Sequence, residues 1–196
     1  MNYQNLDDLD LVQDFLSGNQ SSLEILINKH RQKVYTYIYY RLKDVHLAED
    51  IFQDTFIKVI RSLKAGKYKD NGKFLSWVLR IAHNLIIDHY RKEKQLQVIS
   101  RDNYEGDILN SQKLAEKNVE DLIINTQISK DIRMLVKELP SDQKEVIILR
   151  HYCGLSFKEI AEHTNVSINT ALGRMRYALI NLRKLIEEKN LSLNMA

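Results

Sequence analysis

The chain has 196 residues, a length that suits one or two small domains, and its 44% hydrophobic and 28% charged residues are enough for a buried core. Its net charge of +3 is mildly basic. Its single cysteine, Cys153, excludes an internal disulfide and a cysteine-rich zinc site. No apolar run approaches the ~18 residues of a membrane span, and the acidic N-terminal segment is unlike a secretory signal. The chain contains one proline and six glycines, and so few helix-breaking residues favour helices over a β-sandwich.

Apolar spacing and capping residues predict four helices in the first half of the chain. Residues 17–19 end the first helix, and Ser21 with Glu24 has the spacing of a capping box at the start of the second. Asp44 can cap the third helix, and a loop over 66–73 with a glycine at each end precedes the fourth. The predicted ranges are 7–16, 22–42, 46–64 and 74–93.

The third predicted helix is amphipathic. Asp50, Gln53 and Asp54 lie off its apolar face and are expected to be exposed. Asp50 and Asp54 lie one turn apart, but no accompanying motif indicates acid–base chemistry or a metal, so a protein-contact surface explains them better. The apolar face consists of Phe52, Phe56, Val59, Ile60 and Leu63.

The loop over 66–73 and the helix after it combine basic and aromatic side chains. Lysines and arginines that neutralise phosphates, next to aromatic rings that stack on unpaired bases, suit single-stranded nucleic acid. The alternative for Phe74 and Trp77 is burial in the core, whereas the loop residues 69–71 are expected to be exposed. The candidate contacts are Lys69, Asn71, Lys73, Trp77, Arg80, Asn84, Asp88 and Arg91.

Basic residues form two blocks along the chain. Residues 58–94 hold ten Lys or Arg against three Asp or Glu, and residues 172–189 hold five against two. Residues 96–125 lie between the blocks without a sustained apolar stripe, and we interpret them as a linker. This pattern favours two domains that contact one polyanion, although solvated helix faces would also produce it.

Four further helices are predicted after the linker, and two of them form a helix-turn-helix. Ser156 and Glu159 form a capping box, Asn165 can adopt a left-handed turn, and Ser167 caps the last helix. Ala161 is small where the two helices must cross, and Ala171 is expected to face inward from the second helix. The predicted ranges are 127–138, 141–152, 156–163 and 168–188, and the apolar stripe of the last helix is Ile168, Leu172, Met175, Leu179, Leu182 and Ile186.

The second helix of a helix-turn-helix inserts its N-terminal part into the major groove of DNA. An ordinary helical hairpin is the alternative interpretation. The candidate DNA contacts are Ser167, Asn169, Thr170, Gly173, Arg174, Arg176 and Tyr177. No phosphate loop, nucleophile motif or zinc-ligand spacing of the six histidines occurs, so we predict no catalytic residue, no metal and no cofactor.

Segments of both halves resemble the bacterial extracytoplasmic-function (ECF) RNA polymerase sigma factors. Residues 48–56 and 74–91 resemble the N-terminal domain of that family, and residues 139–161 with the following helix resemble its C-terminal domain. The resemblance implies an all-α fold of two small helical domains joined by a flexible linker. The expected parts are an N-terminal domain over 1–95, the linker over 96–125 and a C-terminal domain with the helix-turn-helix over 126–196.

The resemblance also implies a function, that of an alternative sigma factor that binds core RNA polymerase and directs it to specific promoters. Such a protein is cytoplasmic and not an enzyme, and its partners are core polymerase and promoter DNA. An anti-sigma factor is a common further partner in the family. By resemblance, the helix over 48–59 docks on the polymerase β′ subunit through Asp50, Gln53, Asp54 and Phe56.

The same resemblance assigns the two DNA contacts. The loop and the Trp77–Arg91 helix would melt the −10 element and hold a flipped base, which is readable on its pairing edge only outside the stack. The helix from Ile168 would read the duplex −35 element. Leu172 and Gly173 stand where many members carry a basic residue and a serine, which shifts base reading toward Arg174, Arg176 and Tyr177.

Two other classes of function compete with this interpretation. A self-sufficient helix-turn-helix regulator would bind duplex DNA without polymerase, usually as a dimer, but no dimerisation helix remains once both domains are assigned. A small nuclease would need a cluster of carboxylates and a metal, and the sequence offers no good cluster.

Overall fold

The computed structural model describes residues 7–69, 72–101 and 130–189. All regular structure in these ranges is helical. The chain divides into two compact units, with the boundary between Leu122 and Ile123. The predicted all-α fold is confirmed. Most of the predicted linker, from residue 102 onward, lies outside the described residues.

The described part of the N-terminal unit consists of four helices. The capping box predicted from Ser21 and Glu24 at the start of α2 is wrong. The N-cap residue is Asn19, whose Oδ1 accepts the backbone N–H of Ser21 at 3.1 Å. Asn is as good an N-cap as Ser, so the helix begins earlier than predicted. The Asp44 cap is confirmed, with Oδ1 accepting from Leu47 N at 2.9 Å. The helices are α1 (Asp8–Leu16), α2 (Gln20–Leu42), α3 (Val45–Lys64) and α4 (Phe74–Arg101).

Helix α4 continues to Arg101, past its predicted end at Glu93. No glycine or proline occurs between Phe74 and Arg101, so nothing in the local sequence ends the helix at the charged residues 91–94.

Helix α2 packs against the other three helices of the unit. Helix α3 contributes one face to the core, and Phe56, Val59 and Leu63 of the predicted apolar face are buried there, whereas Phe52 and Ile60 are half-buried. The polar Thr55 is buried on the same side, and its hydroxyl donates to Ile51 O at 2.6 Å. The largest fully buried side chains of this unit are Tyr37, Phe74, Leu26, Ile38, Leu63, Leu79 and Ile86.

An acidic residue of α1 attaches this helix to α2. The Asp8 carboxylate lies 2.8 Å from Lys29 Nζ and 2.9 Å from His30 Nε2, and Nε2 is the donor because a carboxylate only accepts. Burial alone would raise the pKa of Asp8, but the hydrogen bonds and positive charges of His30 and Lys29 outweigh burial and hold that pKa below its ordinary value.

The C-terminal unit contains four α-helices in its described part. These are α5 (Lys130–Glu138), α6 (Ser141–Ile147), α7 (Phe157–Thr164) and α8 (Ile168–Glu188). A π-helical turn over Ile148–Tyr152 directly follows α6, so the helix predicted over 141–152 widens in its last five residues.

Helices α7 and α8 form the predicted helix-turn-helix. The capping box is present, since Ser156 N donates to Glu159 Oε2 at 2.8 Å and Glu159 N donates to Ser156 Oγ at 3.3 Å. Asn165 adopts the left-handed conformation with φ 53°, and Ser167 Oγ accepts from Thr170 N at 3.0 Å. These local interactions stop α7 and restart the chain as α8.

The buried face of α8 differs from the predicted apolar stripe. Ala171, Met175 and Ala178 are buried, whereas the side chains of Leu172 and Leu179 are 44% and 43% exposed. Helices α6 and α7 both pack against α8, and small alanines allow this close approach. The prediction was therefore wrong for the exposed members of the stripe, because it followed side-chain size instead of the space between the helices.

Candidate nucleic-acid interface

The polar residues of α3 form an exposed surface. Asp50, Gln53 and Asp54 are exposed on the side of α3 that faces away from the core. Phe56, which was predicted as a contact with them, is only 5% exposed, and its ring lies 4.9 Å from that of Phe52. Phe56 therefore stabilises the unit and offers little contact area.

A shallow groove of about 470 Å³ adjoins this surface. Asp54 lines one part of it, and the 45% exposed side chain of Ile57 adds an apolar contact area. Helix α4 contributes Leu85 to the same groove. Lys58, Arg61 and Lys67 also line the groove, so Ile57 and Leu85 form a small apolar area among more positive than negative charges.

An aromatic cluster lies at the start of α4. The ring centroid of Trp77 is 4.6 Å from that of Tyr68 and 5.8 Å from that of Phe74. Phe74 is 1% exposed and belongs to the core, as one of the two interpretations expected, whereas Trp77 is half-buried. Trp77 thus has one side packed and another available to a ligand.

The remaining predicted contacts of α4 line up along the helix. Arg80, Asn84, Asp88 and Arg91 are exposed and recur every three or four residues from Trp77, which places them on one face. Arg91 Nη1 lies 3.8 Å from Asp88 Oδ1. In the preceding loop Lys69 is exposed and Lys73 half-buried, and Asn71 lies outside the described residues.

The predicted contacts of α8 fall into three groups. Ser167 and Thr170 are engaged in the N-cap, where their hydroxyl oxygens lie 2.8 Å apart. Arg174 is half-buried, and its Nη2 lies 2.8 Å from Asp142 Oδ2 at the start of α6. The third group, Asn169, Arg176 and Tyr177, is exposed, and Gly173 is half-buried.

The charge of α8 favours a polyanion. No acidic residue occurs from Ile168 to Ile186, and the basic residues of that stretch are Arg174, Arg176, Arg183 and Lys184. Such a helix in the second position of a helix-turn-helix has the geometry and charge to lie in a major groove.

Sequence reasoning missed two exposed apolar side chains among these polar ones. Ile168 and Leu172 are 46% and 44% exposed on the outer part of α8. Their spacing matched a core stripe, although the family resemblance had placed Leu172 at a position from which many members read bases. The prediction that Ala171 faces inward is confirmed, and Ala178, which is also buried, was the unused signal for the face on which the helices cross.

No helix in the described ranges combines the length and the apolar composition of a membrane span.

Two family models match the chain in order. Residues 26–95 match Sigma-70 region 2, and residues 129–177 match Sigma-70 region 4. The first match contains α3 and the Trp77 face of α4, and the second contains the helix-turn-helix.

Curated relatives match almost the whole chain. The ECF RNA polymerase sigma factor SigW of Bacillus subtilis is 30% identical over 180 residues, which cover 90% of this chain and 95% of SigW. The RNA polymerase sigma factor YlaC of the same organism is 28% identical, with 88% and 99% covered.

Solved structures share the fold. CnrH, in complex with the cytosolic domain of CnrY, matches with a TM-score of 0.62 at 21% identity over 93% of this chain and 97% of CnrH. RpoE of Bartonella quintana, in complex with the anti-sigma factor NepR, matches with a TM-score of 0.57 at 20% identity over 79% and 89% of the two chains.

These similarities confirm the predicted family and leave no support for a self-sufficient regulator or a nuclease. Two sigma regions in their family order, with a full-length relative at 30% identity, settle the function as well. The chain belongs to the ECF subfamily of the sigma-70 factors, non-enzymatic proteins that bind core RNA polymerase and direct it to specific promoters.

Proposed function

We propose that this sigma factor divides promoter recognition between its two units. The N-terminal domain, residues 1–95, binds core polymerase and opens the −10 element, and the C-terminal domain, residues 126–196, reads the −35 element. Residues 96–125 link them. The observation that carries the proposal is the outer face of α8, which exposes Asn169, Arg176 and Tyr177 and is free of acidic residues as far as Ile186.

Core polymerase binds the exposed polar surface of α3. Asp50, Gln53 and Asp54 offer two carboxylates and an amide, which suit basic and amide groups on the polymerase β′ subunit. The adjoining groove with Ile57 supplies apolar contact area. Phe56 acts indirectly, because its packing in the core holds α3 in place.

The −10 element binds the loop before α4 and one face of that helix. Lys69 and Arg80 are exposed and suit phosphates, while Asn84 can hydrogen-bond to the edge of an unpaired base. The half-buried Trp77 ring is held by Tyr68 and Phe74, so a displaced base could stack on it without the ring having to be ordered first. Lys73, Asp88, Arg91 and Asn71 complete the proposed set.

The −35 element binds the N-terminal half of α8. Asn169, Arg176 and Tyr177 are exposed and reach base edges or phosphates, and Ser167 and Thr170 stabilise the start of the helix. Arg174 is oriented by Asp142 and supports the same surface. The space beside Gly173 is open outside its own helix backbone, so the DNA could approach α8 closely at this position.

We further propose that the protein works in the cytoplasm, where core polymerase and the chromosome are found, and that an anti-sigma factor is among its partners. The RpoE structure of similar fold was solved with the anti-sigma factor NepR. A pull-down from the cell that recovers a protein able to block transcription by this chain would support the proposed anti-sigma factor. A pull-down that recovers no such protein would contradict it.

Run-off transcription tests the proposed roles directly. The full chain is mixed with core polymerase and a promoter library, and selected promoters are then transcribed with variants. Asp54→Asn should lower holoenzyme formation several-fold, whereas the matched control Asp10→Asn, an exposed carboxylate of α1, should leave it unchanged. Equal effects of the two substitutions would contradict the proposed polymerase surface.

A further inference from the structure

The outer face of α8 carries an apolar stripe in the region that is proposed to enter the major groove. Ile168 and Leu172 lie one turn apart, and nearly half of each side chain is exposed. Ala171 and Met175 are buried on the adjoining face of the helix, and Ile168, seven residues before Met175, borders that face. The core face of α8 is thus formed by other residues, and nearly half of the Leu172 side chain stays outside it.

The surroundings of Leu172 are those of a DNA-binding surface. Arg176 follows one turn later on the same face, and Asn169 lies one turn before Leu172. The helix has no acidic residue from Ile168 to Ile186. A charged polymer such as DNA complements this surface, whereas an extended apolar partner would have to bury Arg176 without a counter-charge.

The major-groove edges of the four bases carry hydrogen-bonding groups, with one apolar exception. That exception is the C5 methyl group of thymine. A leucine side chain has no donor or acceptor, so at a base edge the group that complements it best is this methyl, which projects further than the C5–H of cytosine. An arginine at the same place would instead favour guanine.

We propose that Leu172 recognises the methyl group of one thymine in the −35 element, with Ile168 extending the apolar contact. The inference rests on the proposed role of α8 in reading that element. Arg176 then contacts a neighbouring base or phosphate within the same groove, since successive helical turns lie 5.4 Å apart.

Deoxyuridine tests the inference, because it pairs like thymidine and lacks only the methyl group. Holoenzyme made from the full chain and core polymerase is bound to a selected promoter in which each −35 thymine, on either strand, is replaced in turn. We expect one replacement to weaken binding about 4-fold, the effect of one methyl group removed from a buried contact.

Two variants connect that loss to the side chain. Leu172→Ala should bind the thymine and the deoxyuridine promoters equally. Leu179→Ala is the matched control, because Leu179 is a leucine of the same exposure two turns further along α8, and this variant should retain the 4-fold difference.

The outcomes separate this inference from the proposed function. If no thymine responds to replacement, or if Leu172→Ala keeps the full response, the inference is overturned while promoter-specific transcription stands. If holoenzyme binding does not depend on the −35 element at all, the proposed role of α8 fails and the inference fails with it.

Discussion

Helices α4 and α8 both carry proposed DNA contacts, but they differ in whether these contact residues also pack in the core. On α4, Trp77 packs against Tyr68 and the fully buried Phe74 while its free side faces the proposed ligand. On α8, the exposed Asn169 and Arg176 lie roughly opposite the buried Ala171 and Ala178. In the N-terminal unit one side chain, Trp77, therefore serves both core packing and the proposed DNA binding. In the C-terminal unit different side chains of α8 serve these two roles.

This difference suits the two tasks. A helix that reads intact duplex DNA needs only to be held from behind, so its outer residues are free to vary with the promoter. A ring that receives an unpaired base must already be rigid, because ordering it during binding would cost conformational entropy. The substitutions below test this separation, from the largest expected effect to the smallest.

The largest effect is expected at Trp77. Trp77→Ala removes a half-buried ring from the aromatic cluster and should lower the free energy of unfolding by about 2–3 kcal/mol, somewhat below the cost for a fully buried aromatic. It should also abolish promoter opening. Urea unfolding followed by circular dichroism measures the first effect, and permanganate reactivity of the −10 thymines measures the second.

Trp77→Phe is the control for this substitution. It retains an aromatic ring beside Tyr68, so most of the stability should return, and with it part of the promoter opening. A Trp77→Ala variant that is as stable as the wild type would show that core packing and DNA binding use different side chains on α4 too. It would contradict the proposed difference between α4 and α8.

Arg176 should show the opposite behaviour. Arg176→Ala should weaken holoenzyme binding to the promoter about tenfold, the typical loss for an arginine at a base edge, and change the free energy of unfolding by less than about 0.5 kcal/mol. Arg183→Ala, an exposed arginine two turns further on, is the matched control and should have a smaller effect on binding. Equal losses for both would indicate general attraction to phosphates without base reading.

The N-terminal unit should lose stability at acidic pH. The pKa of Asp8 in the folded state is below its ordinary value, so this carboxylate stabilises the fold above that value and the contribution disappears as pH falls through the folded pKa. Trp77 is the only tryptophan in the chain, so its fluorescence follows this unit selectively during urea unfolding.

Asp8→Asn identifies the group responsible. The variant should be less stable than the wild type at neutral pH and should approach it in stability under acidic conditions. An unchanged difference between the two proteins from neutral to acidic pH would assign the pH dependence to other carboxylates.

The smallest effect is expected for the pair of Asp142 and Arg174. Asp142 is largely exposed, so the ion pair should contribute only about 0.2–1 kcal/mol to stability. A double-mutant cycle with Asp142→Asn and Arg174→Ala measures this coupling. The same cycle on promoter affinity shows whether Asp142 orients Arg174 for DNA, in which case the two single losses will not add.

Much of the fold was predictable because its signals are local. Asp44 and Ser156 each satisfy backbone donors within three residues, so the sequence indicates where their helices begin. The candidate site was predicted less completely. Asp50 and Arg176 are exposed as expected, but Phe56 belongs to the core, and the exposed Leu172 had been assigned to an apolar stripe.

The sequence by itself determined the helical class, most helix starts, the helix-turn-helix and the family. The sequence predicted that Ala171 faces inward, but only the tertiary structure decided that Leu172 and Leu179 of the predicted stripe are exposed, because that depends on how α6 and α7 pack against α8. It also decided that Arg174 is held by Asp142, since residues 32 positions apart meet only once the helices pack. Capping depends on a few neighbouring residues, whereas packing depends on the whole unit.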